Sequence, residues 1–154
     1  MSFNLDHEQR RSALQEQLRH AQAITSALIA DVIAQACVRL AAHATAKARV
    51  DRLIDAGAFT DATLALIEHE LPQWKLRRLI YEDGAWHCSL SQQPQLPVGL
   101  DHTAEADHDV LPLAILSALV EARRDSFASR ELRSRSVTQV RSTQGYAVCC
   151  DNFR

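Results

Sequence analysis

Between residues 6 and 55 the chain holds neither proline nor glycine, and Ala, Leu, Gln, Arg and Glu dominate. All are good helix formers, so the stretch predicts one long helix, or two in line. From Ile24 to Ala44 it is nearly all apolar. The polar positions Asp31, Gln35, Arg39, His43, Lys47 and Asp51 recur at a step of four. That step winds the polar stripe around the helix by about 40° each time. A helix with so narrow a polar face is buried on most sides. The rest of a short chain cannot cover all of it, so self-association is expected, through Ile24, Leu28, Val32, Ile33, Leu40 and Leu53. Gly57 suits the left-handed residue that closes the helix.

A second helix is expected over 61–71. Thr60 or Asp61 caps it, Leu64, Ile67 and Leu71 form its apolar face, and Pro72 ends it. Residues 74–90, WKLRRLIYEDGAWHCSL, then read as a β-hairpin closed by Asp83-Gly84. The two-residue loop predicts the pairs Glu82–Ala85, Tyr81–Trp86, Leu79–Cys88 and Arg77–Leu90. One face would carry Leu79, Tyr81, Trp86, Cys88 and Leu90. The other would carry Trp74, Leu76, Ile80 and His87 with Arg78 and Ser89. Apolar side chains on both faces of a two-stranded sheet call for cover on both faces.

Residues 91–109 read as a connection broken by Pro94, Pro97 and Gly99. Asp109 is placed to cap a third helix, Val110 to Arg124, with Pro112 in its first turn. Its LPLAILSALVEA run predicts burial on most sides. The remainder, rich in Ser, Thr and Arg, is expected to be largely extended or disordered. Helix is expected to continue only as far as Arg133, and a short strand is a candidate at 146–149.

The fold class expected is α+β: a long N-terminal helix packed on a helix–β-hairpin–helix unit, an α/β/α sandwich-like arrangement. Residues 1–57 form the helix, 58–124 the core and 125–154 a basic, partly disordered tail. The 154 residues suffice for a core without disulfides. With 47% hydrophobic but only 5% aromatic residues, that core must be built from Ala, Leu, Ile and Val. A formal net charge of −2 argues against a dedicated nucleic-acid or membrane-surface protein. Cys37, Cys88, Cys149 and Cys150 show no disulfide spacing and read as reduced thiols of a cytoplasmic protein. The N-terminal residues lack a signal pattern, and no membrane span is expected.

Candidate chemistry is thin, and no catalytic residue, metal or cofactor is expected. His102, Asp107, His108 and Asp109, beside Asp101, could gather a divalent cation, but a solvated acidic loop is the simpler reading. His87 and Cys88 are strand neighbours and point to opposite faces, which keeps them from acting together. His69 lacks the second histidine of a zinc helix. His43 sits on the polar stripe, where a solvated helix edge outweighs a pH switch. Lys75, Arg77 and Arg78, with Arg133, Arg135 and Arg141 of the tail, could neutralise phosphates without reading sequence.

Residues 61–124 resemble the small domains described as phage ABA sandwich-like. The features that carry the likeness are the helix ending in Leu71-Pro72, Trp74 opening a strand, Gly84 with Trp86 in the return strand, and LPLAILSALVEA closing the segment. The resemblance implies a short sheet held between helices. It implies no catalytic or binding residue. The functional expectation is a non-enzymatic protein–protein interaction or assembly module, with a phage or bacterial accessory protein as the expected setting. The alternative is a nucleic-acid-associated regulator using the arginine tail.

Overall fold

The computed structural model describes residues 3–135, with side chains for 9–128. Among these residues, six helices and a three-stranded antiparallel sheet make it an α+β protein. The helices are α1 (Phe3–His20), α2 (Ser26–Ala36), α3 (Val38–Ala41), α4 (Ala44–Asp55), α5 (Phe59–Glu70) and α6 (Leu111–Arg135). The strands are β1 (Lys75–Glu82), β2 (Ala85–Ser91) and β3 (Thr103–His108), and Val98–Leu100 form a 3-10 turn.

The continuous N-terminal helix expected from composition is four helices instead. Thr25 is extended, and its hydroxyl accepts the Leu28 amide at 3.2 Å, starting α2 afresh. Cys37, at φ −112° and ψ 68°, separates α2 from α3, and His43 precedes α4. Each break re-aims the winding apolar stripe. Leu14, Leu18, Leu28, Ile29, Val32, Leu40 and Val50 all enter the same core as residues of the 58–124 segment. Tertiary burial overrides uniform helix propensity here.

The centre of the molecule is α6. Leu113, Ala114, Ile115, Leu116, Ala118, Leu119 and Ala122 are fully buried, so the helix is wrapped rather than laid on one face. It touches β2 and β3 on one side and α1, α2 and α5 elsewhere. It also runs to Arg135, so residues 125–135 of the expected tail are helical. Just ahead of its first turn, His108 Nδ1 accepts the Val110 amide at 2.9 Å. Arg141, the candidate strand at 146–149 and the Cys149-Cys150 pair lie outside the described residues.

The hairpin forms with the expected Tyr81–Trp86, Leu79–Cys88 and Glu82–Ala85 pairs. Asp83 (φ 54°) and Gly84 (φ 84°) supply the two positive-φ positions that its turn requires. Beyond Arg78 the register departs from expectation. A bulge at Arg77 puts Leu76, not Arg77, opposite Leu90. Leu76 therefore moves to the face of Leu79 and Tyr81. The supposed loop 91–109 contributes β3, paired to β2 from Thr103 to His108, so the hairpin is two-thirds of a sheet ordered β1-β2-β3.

One face of that sheet, with Cys88, Leu90, Ala104 and His108 buried, lies on α6. The other carries His87, Ser89, Glu105 and Asp107, with His87 and Asp107 open to solvent. The sheet is thus covered mainly on one face, and the middle layer is a helix. Trp74 needs no second layer, because it precedes the strand and its Nε1 donates to Ser126 Oγ on α6 at 3.2 Å. Among the described residues, no helix is long and apolar enough to cross a membrane.

Candidate interaction surface

The residues expected to drive self-association are spent inside the molecule. Leu28, Val32 and Leu40 are buried, and Ile24, Ile33 and Leu53 pack half-buried against the same core. The physical reason is the broken helix, which lets one chain cover its own stripe. Exposed apolar bulk lies elsewhere: Val38 (68%), Leu76 (42%), Tyr81 (60%), Val98 (65%) and Leu100 (75%). Except for Val38, these belong to β1 or to the connection that follows β2.

Arg77 joins those two elements. Freed from the ladder by the bulge, its guanidinium donates to the Asp101 carboxylate and, at 2.9 Å, to the Leu96 carbonyl. Asp101 also accepts from Ser91 Oγ and from the Gln93 amide. Burial would raise the Asp101 carboxyl, but the Ser91, Arg77 and Gln93 hydrogen bonds and the Arg77 charge outweigh it and hold it below the usual range. Leu96 and Asp101 flank the 3-10 turn, so Val98 and Leu100 are fixed to the strand that bears Leu76. Of the three strand cations, Lys75 and Arg78 face solvent and Arg77 does not. Arg133 and Arg135 lie on the last turn of α6.

The open face of the sheet is a polar ladder. His87 Nδ1 lies 2.6 Å from Asp107 Oδ1 across β2 and β3, and Ser89 Oγ donates to Glu105 at 3.3 Å. The Asp107 hydrogen bond raises the His87 pKa above 6.5. Cys88 is on the opposite face, and burial pushes its thiol up to about 12. The pleat separates the two as expected.

A second polar group lies inside the core. Glu70, on α5, accepts the Leu40 amide of α3, and Arg123 Nη1 of α6 stands 3.7 Å from its other oxygen. Burial, with the Glu70 charge next, pushes the neighbouring Cys37 thiol up to about 12. This cluster joins three helices. Its thiol is a poor nucleophile at neutral pH.

The acidic histidine loop is not one loop. His102 and His108 stand at opposite ends of β3. His102 tilts against Trp74 (5.8 Å between ring centres) with Asp125 at 3.4 Å, and His108 Nδ1 accepts the Val110 amide ahead of α6. Among the described residues, no three His, Cys, Asp or Glu side chains are grouped to hold a metal. Sequence reasoning missed β3 and the exposed Val98 and Leu100. The signal for β3 was the alternation Thr-Ala-Glu-Ala-Asp-His, muted because its inward residues are alanines.

No protein-family model, curated protein or solved structure matches this chain.

Proposed function

We propose that the chain is a non-enzymatic protein-interaction module whose contact surface is the β1 side of the sheet with the connection clamped to it. One observation carries this reading. Three of the large apolar side chains left in solvent, Leu76, Val98 and Leu100, sit on segments that Arg77 ties together. Apolar residues held rigidly in water are ready to bind, since little conformational entropy remains to be lost. The nucleic-acid reading is weaker, because Arg77 is committed to Asp101, which leaves Lys75 and Arg78 as the exposed cations of the strand.

The test is a photo-crosslinking side chain at Leu100, with exposed Ala48 of α4 as the control position. In the source cell, the probe at 100 should give an adduct of defined mass that Val98→Asp abolishes, and the probe at 48 should not. Equal labelling from both positions, or none from 100, would overturn the proposal.

A further inference from the structure

The outer edge of β1 has a pattern that its role within the chain does not require. β1 is a terminal strand of the sheet, and its sequence from Arg78 to Glu82 is Arg-Leu-Ile-Tyr-Glu. Arg78 and Glu82 are exposed, and Tyr81 is 60% exposed although it lies on the face that meets α6. A terminal strand leaves a row of backbone donors and acceptors without ladder partners.

We infer that this edge pairs with the same edge of a second copy, antiparallel about a two-fold axis through Ile80. Antiparallel addition about an axis normal to the sheet sets residues of one face against residues of the same face. Centred on Ile80, it places Arg78 opposite the second copy's Glu82, and Glu82 opposite its Arg78. Ile80 meets Ile80 between these two ion pairs. On the other face Leu79 meets the second copy's Tyr81, twice, which removes the tyrosine from water. Every cross-strand pair is then either opposite in charge or apolar on apolar.

Neighbouring registers fail that condition. Centring on Leu79 sets Arg78 opposite Ile80, and centring on Tyr81 sets Glu82 opposite Ile80. Centring between two residues mixes the faces. The bulge at Arg77 ends the ladder on its side and the Asp83-Gly84 turn ends it on the other, so the contact is five residues long. Both copies keep α6 on one side of the joined six-stranded sheet. Leu100 is outside the contact, so this pairing and the Leu100 surface can fail separately.

Sedimentation velocity on the full chain, up to about 0.5 mM, tests it through charge reversal. The wild type should show a reversible dimer. Arg78→Glu and Glu82→Arg each set like charges across the axis at two places, and each should weaken the dimer at least about tenfold. An equimolar mixture of the two variants restores both ion pairs and should form the heterodimer at near wild-type strength, as should the double variant R78E/E82R alone. Circular dichroism confirms that each variant is folded. A monomeric wild type, single variants that dimerise like the wild type, or folded variants that fail to associate when mixed would each overturn the inference.

Discussion

Arg77 and Asp101 form an ion pair whose carboxylate is fully shielded from solvent, and through it a strand bulge holds the connection between β2 and β3. A paired charge of this kind is far more costly to break than to lack altogether. Asp101→Asn should therefore lower the urea midpoint of unfolding, and Arg77→Ala should do the same. The pH dependence has a definite sign. The folded Asp101 carboxyl lies below the ordinary 3.8, so its stabilisation is complete above that value and is lost as pH falls toward the folded pKa. Acid titration of stability should be shallower in Asp101→Asn below pH 3.8 than in the wild type.

Glu70 should prove one of the least replaceable polar residues. Glu70→Ala leaves the Leu40 amide without its acceptor and Arg123 without its counter-charge in the core. The expected loss is about 3 kcal/mol, read from denaturant unfolding. Amide exchange at Leu40 should accelerate in step, which distinguishes this cause from general loosening.

Tyr81 and Trp86 face each other across the hairpin with ring centres 5.2 Å apart and planes tilted at 52°. A double-mutant cycle, with each residue replaced by alanine, should return a coupling of about 0.5–1 kcal/mol. A coupling indistinguishable from zero would mean that the pair is not formed in solution.

His87 should titrate above 6.5 by NMR, and Asp107→Asn should bring it back toward that value. A folded pKa raised in this way stabilises below the unfolded pKa and loses that effect as pH rises through the folded one. Stability should thus decline slightly on crossing neutral pH from below in the wild type, and this decline should be absent in Asp107→Asn.

Local chemistry alone determined a good part of this protein. The Asp-Gly turn, the Tyr81–Trp86 and Leu79–Cys88 register, the mostly buried 112–122 stretch and the opposed faces of His87 and Cys88 all follow from short-range spacing. These depend on turn geometry, pleat and helical period, which act between near neighbours. What only the tertiary structure decided depends on partners far along the chain. The N-terminal helix breaks where Glu70 can take the Leu40 amide thirty residues away. Ala104 and Ala106 become a strand because Leu90 and Cys88 pair with them. Arg77 leaves the ladder because Asp101 and Leu96 receive it. The apolar stripe of residues 24–53 looked like surplus surface because nothing in its own sequence shows that it folds back on α6 and α5. Burial is a property of the whole chain, and that is why most of the large apolar side chains left exposed lie on β1 and the connection after β2 rather than on the helices.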